Sequence, residues 1–298
     1  MQFFIMGSGR SGTSIFNRVV GEHKDIWSFR WESQIFSGLP PLVELIDPSV
    51  SDLKVEKFAE RCRTHLYKRN VGGRYDAGLF ELIQKDEFIV LLEALVNDIT
   101  SGGSNRKERI LACRKFSDAI FKTAADRQGK NVWCEKTPRN LLYADMIQDL
   151  YPQAKFVNVI RDGREVVSSI LNKKFWPVAK SIRFRETLEF GGEVSLEKAV
   201  DYWVILMGIS EKMRHIVGEE NWLDVRLEDL GSDLAGVQLR LERFLQLPHD
   251  TDFINLAGSL VESGKTDQKR WKVRSNESDI RQMEMRMQYY LEKYGYEL

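Results

Sequence analysis

A glycine-rich segment near the N-terminus carries residues suited to binding an anion. GSGRSGTS (7–14) follows the apolar run FFIM (3–6), and apolar residues with helical spacing come after it. At such a strand–loop–helix junction, free backbone N–H groups and the positive end of the helix dipole attract phosphate-like groups. Gly7 and Gly12 have the spacing of a nucleotide-triphosphate P-loop, but Thr13 occupies the position of its lysine. The segment therefore predicts an anion site that lacks the usual cation.

Several interpretations of this loop compete. An ordinary P-loop kinase or triphosphatase requires the missing lysine on the β- and γ-phosphates. A dinucleotide-binding oxidoreductase fits the glycines better, because Gly7, Gly9 and Gly12 form G-x-G-x-x-G and Glu32 follows about 20 residues later. The non-enzymatic alternatives are glycines that serve only tight packing and a degenerate nucleotide-binding module without an acceptor site.

A further interpretation places the cation inside the loop, at Arg10. Thr13 and Ser14 then open the helix as hydroxyl donors. Such a site suits an anion that has no γ-phosphate and needs no metal ion, so no metal is expected. A second binding element elsewhere in the chain is needed to separate this interpretation from the others.

That second element is VIRDGREVVSSI (159–170), which closes a predicted strand and opens a predicted helix. Arg161 at the strand end offers a forked, charge-assisted contact to a phosphate. Ser169 follows eight residues later, about two turns along the helix. Ser168 takes its place if the register differs by one residue. An Arg161 paired with Asp162 and a solvent-facing serine would explain each residue, but not both motifs together.

Together the two motifs resemble those of the sulfotransferases that use 3′-phosphoadenosine 5′-phosphosulfate (PAPS), in the branch with bacterial, carbohydrate and tyrosylprotein enzymes. In that family the loop binds the 5′-phosphosulfate, a loop Lys or Arg contacts the transferring sulfuryl group, and the second motif binds the 3′-phosphate. The resemblance covers residues 2–36 and 131–275 and implies PAPS as the cofactor. The PAPS-binding residues that it implies are Gly9, Arg10, Ser11, Gly12, Thr13, Ser14, Arg161 and Ser169.

Three further segments bear on this resemblance. WCEKTPRN (133–140) resembles a family segment and implies that Lys136 ends a strand beside the sulfuryl group. VRLEDLGSD (225–233) resembles a structural segment of the family. GKTDQKRWKVRSN (264–276) stands where the family often closes a basic loop over the 3′-phosphate, although it lacks the arginine-lysine-glycine triplet, and a solvated charge run is the alternative. Its candidate cations are Lys269, Arg270 and Lys272.

Transfer to a hydroxyl group needs a base, and Glu32 in FRWESQIF (29–36) is the candidate. The tyrosylprotein-like branch places a catalytic Glu about 20 residues after the loop cation, and here the offset from Arg10 is 22 residues. An ion pair with a nearby base is the structural alternative. Because small-molecule members of the family use a His base, His23 and His65 stay open as alternatives. The expected catalytic residues are Arg10, Glu32 and Lys136.

Strand patterns alternating with helical patterns predict an α/β fold, namely the three-layer, P-loop NTPase-like arrangement with a parallel sheet and helices on both faces. Residues 40–130 begin at a Pro-Pro pair and are polar and helical in pattern. We interpret them as a helical insertion or lid that shapes the acceptor site, within one domain that spans residues 1–298. The strand patterns lie at 2–6, 26–31, 132–137, 155–161 and within 222–230, and the helical patterns outside the insertion at 13–22, 139–151, 163–171, 195–218, 232–246 and 276–294.

Bulk composition limits the classes of partner. Lys plus Arg and Asp plus Glu both number 44, which argues against a general nucleic-acid binder. No apolar run approaches the roughly 18 residues of a membrane span, and no signal peptide is apparent. Three cysteines without paired spacing predict free thiols and a cytoplasmic location. The expected acceptor is a small molecule, a glycan or a lipid, and the aromatic residues that could stack on it are Trp27, Trp31, Tyr67, Tyr75, Phe80 and Trp176.

Overall fold

The centre of the molecule is a β-sheet of five strands. The computed structural model describes residues 1–67, 78–101, 105–174, 192–264 and 269–298. The strands are β1 Gln2–Gly7, β2 Ile26–Ser28, β3 Val132–Lys136, β4 Lys155–Ile160 and β5 Trp222–Arg226. They lie in the order β2-β3-β1-β4-β5, and all neighbouring pairs are parallel. Each apolar run predicted as a strand is therefore confirmed, although β2 is shorter than expected.

Helices fill the connections between the strands. Those of the described residues are α1 Thr13–Val20, α2 Asp52–Arg61, α3 Lys85–Thr100, α4 Arg106–Arg127, α5 Ala144–Leu150, α6 Gly163–Lys173, α7 Leu196–Val217, α8 Asp229–Ser232, α9 Leu234–Leu245, α10 Phe253–Gly264, α11 Trp271–Arg274 and α12 Glu277–Lys293. The helix expected over 139–151 is divided into a 3-10 helix, Pro138–Tyr143, and α5. Helix α10 is additional to the predicted elements, although Phe253, Ala257 and Val261 have the spacing of one helix face.

Alternate residues of each strand pack against helices on opposite faces of the sheet. Phe4 and Met6 of β1 are buried beneath α2–α7 and α12, whereas Phe3 and Ile5 are buried beneath α1, α9 and α10. Successive side chains of a strand point to opposite faces, so a strand buried on both faces becomes a continuous apolar run. The three-layer α/β fold predicted from the sequence is confirmed.

The described residues between 40 and 130 form the crossover from β2 to β3. Helix α4 packs on both strands, and the Phe121 ring stacks on the Trp133 ring with 5.4 Å between centroids. Helices α2 and α3 extend the same apolar core through Phe58 and Phe88. This segment is therefore helical and shares a core with the sheet, while its role as a lid over the acceptor site stays a prediction.

The strand order opens a crevice at the carboxyl end of β1. The chain leaves β1 toward one edge of the sheet and returns to place β4 on its other side, and open α/β sheets bind ligands at such a point. In a dinucleotide-binding fold β2 lies beside β1, whereas β3 separates the two strands here. The topology therefore contradicts the dinucleotide-binding interpretation of the glycine loop.

The cysteines and the helices bear on two compositional expectations. Cys62, Cys113 and Cys134 are buried and form no disulfide, so the predicted free thiols are confirmed. Burial raises the pKa of the Cys62 thiol to about 12. Within the described ranges, none of the helices combines the length and the apolar composition needed to cross a membrane.

Candidate active site

The loop after β1 turns sharply into α1. Gly7 approaches β4 so closely that a Cβ atom there would lie 2.5 Å from the Val159 carbonyl oxygen. Arg10 and Gly12 both adopt the left-handed backbone conformation, with φ of 73° and 89°. A Cβ atom on Gly12 would also meet the Leu227 side chain at 2.4 Å, so glycine is required there. These features direct the N-terminus of α1 toward the crevice.

Three consecutive amides at the start of α1 are available to a ligand. Within the described residues, no group accepts the backbone N–H of Gly12, Thr13 or Ser14, as is usual for the first turn of a helix. Ser11 differs, because it is fully buried and its N–H donates to the Ser8 carbonyl oxygen at 3.1 Å. The amides of Gly12, Thr13 and Ser14 can therefore donate to an anion, whereas that of Ser11 cannot without losing its present bond.

Tyr202 of α7 supports the loop from below. The Gly9 backbone N–H donates to the Tyr202 hydroxyl oxygen at 2.9 Å. The tyrosine ring is fully buried, and burial raises the pKa of this phenol well above its usual range. Gly9 is thus held by a neutral hydroxyl group, and its amide is already satisfied without a ligand.

A cavity of about 420 Å³ lies over the loop at the carboxyl ends of the strands. It is bounded by the glycine loop, the segment after β2 and the ends of β3 and β4. The described residues that line it are Gly9, Arg10, Gly12, Thr13, Ser14, Glu32, Gln34, Ser37, Gly38, Thr137, Pro138, Arg139 and Arg161. The fold therefore brings predicted residues from both motifs, and the predicted base, to one cavity.

Arg10 meets the second motif on one side of this cavity. Its Nε donates to Ser169 Oγ at 2.9 Å, and Arg161 Nη1 donates to the Arg10 carbonyl oxygen at 3.3 Å. Ser168 is 4% exposed and its hydroxyl is buried, whereas Ser169 is partly exposed. The serine counted eight residues after Arg161 is thus the one that faces the loop.

Lys136 and Glu32 meet on the other side. Lys136 Nζ donates to Glu32 Oε1 at 2.9 Å and to Ser14 Oγ at 3.1 Å. The lysine side chain is 2% exposed and the glutamate side chain 26%. A buried ammonium group needs a carboxylate beside it to retain its charge. Glu32 therefore has the ion-pair partner expected of a structural residue, and it also borders the cavity as a base must.

A buried carboxyl group, Glu135, lies behind this pair. It accepts hydrogen bonds from the Ser33 backbone N–H at 3.2 Å and hydroxyl at 2.8 Å. It also accepts from Thr137 Oγ1 at 2.7 Å and Asn140 Nδ2 at 2.6 Å, and Asn140 Oδ1 accepts from the Ser37 hydroxyl at 2.7 Å. Burial raises the pKa of Glu135. The network joins the segment after β2 to the end of β3, and so holds the expected base beside the expected lysine.

A model of a protein family matches a span of the chain that contains all the lining residues of the cavity. The model, described as the sulfotransferase family, matches residues 2–252, a span that contains the glycine loop, the Lys136–Glu32 pair and the second motif. This chain belongs to the sulfotransferase family. Membership in this family accounts for a strand–loop–helix unit that is like a P-loop but has Thr13 at the position of the lysine, as the resemblance of the two motifs implies.

Two named relatives share part of their length with this chain. Protein-tyrosine sulfotransferase A of Caenorhabditis elegans is 27% identical over 117 residues, and the nodulation protein NoeE of Sinorhizobium fredii is 27% identical over 175 residues. The matches cover 39% and 59% of this chain, but only 28% and 32% of the relatives. The chain thus spans about a third of the length of these proteins.

Solved structures of other proteins share the fold of this chain. The sulfotransferase domain from the curacin biosynthetic pathway superposes with a TM-score of 0.58 at 15% identity, covering 99% of this chain and 98% of that one. Sulfotransferase STF9 from Mycobacterium avium gives 0.53 at 12% identity, covering 100% and 77%. At these identities the likeness establishes the fold.

The basic residues expected over the 3′-phosphate lie beside the second motif. Lys269 and Lys272 line a separate groove of about 640 Å³, and Lys272 Nζ lies 5.3 Å from the centroid of the Trp271 ring. The Arg270 backbone N–H donates to the carboxylate of Glu165 in the second motif. In the described part of the chain, these residues therefore lie beside the second motif and do not line the cavity over the glycine loop.

Neither histidine proposed as an alternative base lines the cavity. His23 is fully buried, with its ring 6.1 Å from the Phe253 ring and its Nε2 3.5 Å from Glu242 Oε1. His65 is exposed and pairs with the neighbouring Thr64 hydroxyl. Among the candidates for the base, Glu32 alone borders the described cavity.

The aromatic residues proposed to stack on the acceptor have different surroundings. Trp27 is 6% exposed and belongs to the core. Trp31 is covered by the Arg30 guanidinium, 4.4 Å from its ring centroid, and Tyr67 stacks on Phe88 at 5.1 Å. Phe80 is described but does not line the cavity. Tyr75 and Trp176 lie outside the described residues.

Six lining residues were not assigned from the sequence, namely Gln34, Ser37, Gly38, Thr137, Pro138 and Arg139. Gln34, with a left-handed φ of 54°, lies two positions after the predicted base, and Thr137 and Arg139 lie one and three positions after the predicted lysine. Burial lowers the pKa of Arg139. Their nearness in sequence to Glu32 and Lys136 was the available signal, because residues past a strand end share its edge of the sheet.

Proposed function

We propose that this sulfotransferase moves a sulfuryl group from PAPS to a hydroxyl group of an acceptor. The observation that carries the proposal is the cavity in which Arg10, Glu32 and Arg161 border the available amides of α1. A loop with these amides and without a lysine suits a phosphate ester that carries no γ-phosphate. The charged residues around it supply both a base and cations for the leaving group.

The residues present fit the two anionic ends of PAPS. We assign the 5′-phosphate to the amides of Gly12, Thr13 and Ser14, because helix N-termini bind anions. We assign the 3′-phosphate to Arg161 and Ser169, because a guanidinium and a hydroxyl at the edge of the cavity can donate to its oxygens. Arg10 connects the two sites through its contacts with both members of the second pair.

The chemistry requires an in-line displacement at sulfur. The acceptor oxygen forms a bond to sulfur while the bond from sulfur to the 5′-phosphate oxygen breaks, releasing adenosine 3′,5′-bisphosphate. Glu32 accepts the proton of the acceptor hydroxyl. Arg10 and Lys136 stabilise the negative charge that develops on the leaving oxygen and on the sulfuryl oxygens. Positioning and electrostatics thereby supply most of the rate enhancement.

The acceptor is a sugar, a phenol, a lipid or another metabolite that carries a hydroxyl group. The described lining includes polar side chains near Glu32 in the sequence or at the end of β3, among them Gln34, Thr137 and Arg139. Such groups can bind the hydroxyls adjacent to the one that reacts.

Calorimetry and a transfer assay test this function. Adenosine 3′,5′-bisphosphate should bind, while ATP with Mg²⁺ and NAD should not. Incubation with labelled PAPS and a metabolite extract should yield sulfated products, detected by mass spectrometry. EDTA should leave the yield unchanged, because Ser14 stands where a P-loop binds Mg²⁺ and its Oγ already accepts a hydrogen bond from Lys136. Tight binding of ATP with Mg²⁺ would favour a kinase instead. Binding of the bisphosphate without any product would favour the non-enzymatic module.

A further inference from the structure

Glu165 joins two parts of the chain that are distant in sequence. It lies on the first turn of α6 and is 6% exposed. Its Oε2 accepts a hydrogen bond from Arg161 Nη2 at 3.2 Å. Its Oε1 accepts the backbone N–H of Arg270 and that of Trp271, the latter at 3.3 Å. One carboxylate therefore connects the guanidinium of the second motif to a basic turn 105 residues later.

Neighbouring contacts hold the same turn from its other side. The Arg164 guanidinium lies 4.1 Å from the centroid of the Trp271 ring and pairs with Asp162 and Glu284, each at 2.8 Å. Trp271 itself is 4% exposed. With its ring stacked and its amide bonded, the turn is anchored to α6 at two points.

We propose that Glu165 is a positioning residue that sets Arg161 and the turn 269–272 at the spacing that a 3′-phosphate requires. The inference rests on the proposed function, in which Arg161 binds that phosphate. Lys269 and Lys272 are exposed on the turn, and the Glu165 contact keeps their charges beside the second motif. The phosphate is thus recognised by two elements that one carboxylate holds together.

Charge alone predicts the opposite effect of removing this carboxylate. Glu165 is anionic and borders the proposed site of a second anion, so the two groups repel each other. Neutralising Glu165 should strengthen phosphate binding if its charge were all that mattered. In a folded variant, weaker binding after neutralisation therefore indicates lost geometry, which makes the sign of the change diagnostic.

The test compares adenosine 3′,5′-bisphosphate with adenosine 5′-phosphate by calorimetry at fixed ionic strength. Glu165→Gln should lower the affinity for the bisphosphate by about tenfold, which corresponds to the loss of one charge-assisted hydrogen bond. Its affinity for the monophosphate should stay within about twofold of wild type. Glu165→Asp keeps the charge but shortens the reach, and it should weaken the bisphosphate similarly. Glu297→Gln is the matched control, because it removes an exposed charge from the same groove and leaves the Glu165 contacts and the Arg164–Glu284 pair in place.

The outcomes separate this inference from the proposed function. A wild-type protein that does not prefer the bisphosphate contradicts the proposed function itself. A wild-type preference that Glu165→Gln preserves or increases contradicts the positioning role, as does a Glu165→Asp variant that binds like wild type. If Glu165→Gln also loses the monophosphate through misfolding, Glu165→Asp decides the matter.

Discussion

Arg10 combines a charged side chain with a backbone conformation that residues other than glycine rarely adopt. Its φ of 73° lies in the left-handed region, which costs an L-residue about 1–2 kcal/mol. Glycine would be easier to accommodate there, yet the loop carries a guanidinium that reaches Ser169. A costly conformation of this kind is a common mark of a functional site.

Two substitutions at Arg10 separate the side chain from the backbone. Arg10→Gly and Arg10→Ala should both reduce transfer by about 10²–10³-fold, because each removes a donor aimed at developing charge. The glycine variant should be about 1 kcal/mol more stable than the alanine variant in denaturant unfolding, since it relieves the left-handed strain. Full activity of either variant with PAPS would contradict the role of the guanidinium.

Glu32 is tested at the chemical step. Glu32→Gln should lower turnover by about 10²–10⁴-fold, the usual worth of a general base, because an amide cannot accept the proton. Affinity for adenosine 3′,5′-bisphosphate should stay within about threefold of wild type, since the assigned phosphate contacts belong to other residues. Turnover of the variant close to that of wild type would show that another group is the base.

At the level of elements, the end of β3 and the segment after β2 act as one unit. Lys136 donates to two residues that line the cavity, Glu32 and Ser14, while its neighbour Glu135 is buried and accepts from Ser33. Successive residues of a strand face opposite ways, so one strand end can supply both a reacting group and its support. Glu135 is expected to act on the reaction through the position of Glu32.

The pH dependence of stability tests the Glu135 network. Because burial raises its folded-state pKa above 4.5, its contribution to stability is complete below that pH and is lost as pH rises through the folded pKa. Glutamine does not titrate. The difference in unfolding free energy between wild type and Glu135→Gln should therefore shift in favour of the variant as pH rises from 4.5 toward neutrality. Urea unfolding at several pH values measures it, and a difference that stays constant would contradict the prediction.

At the level of the whole molecule, residues 40–130 belong to the core that carries the site. Phe121 of α4 stacks on Trp133 of β3 and also lies within 6.5 Å of the Trp27, Phe29 and Phe36 rings. The segment after β2 that contains Phe36 also supplies the proposed base. Loss of packing beneath the sheet should therefore affect the entire domain.

Phe121→Ala measures this coupling. The substitution should lower the free energy of unfolding by about 3–5 kcal/mol, through lost burial and the cavity left behind. Leu111→Ala on the same helix is the control, because Leu111 is 65% exposed and should change stability by less than about 0.5 kcal/mol. Tryptophan fluorescence and far-UV circular dichroism should report one coincident transition for each variant. Two separate transitions would show that 40–130 is a distinct folding unit.

Local pattern was sufficient for the strands, the glycine loop and the second motif. A parallel strand is buried on both faces, so it must be an apolar run, as FFIM (3–6) is. The loop turns into a helix at Gly12 with a φ of 89°, in the left-handed region that favours glycine. Ser169 could be chosen because it follows Arg161 by eight residues, the spacing that the resemblance to the family's 3′-phosphate motif implies. Each of these inferences depends on neighbours within a single element.

The contacts that assemble the site depend instead on the strand order. Lys136 reaches Glu32 across 104 residues, and Glu165 reaches the turn at Arg270 across 105. No periodic pattern in the sequence predicts these contacts, because polar side chains at strand ends and in loops do not repeat at a fixed spacing. The parallel sheet brings the ends of β1, β3 and β4 to one edge, and packing then selects which charged groups face one another. The residues of the site can thus be identified from the sequence, whereas the side chains that they contact are determined by the fold.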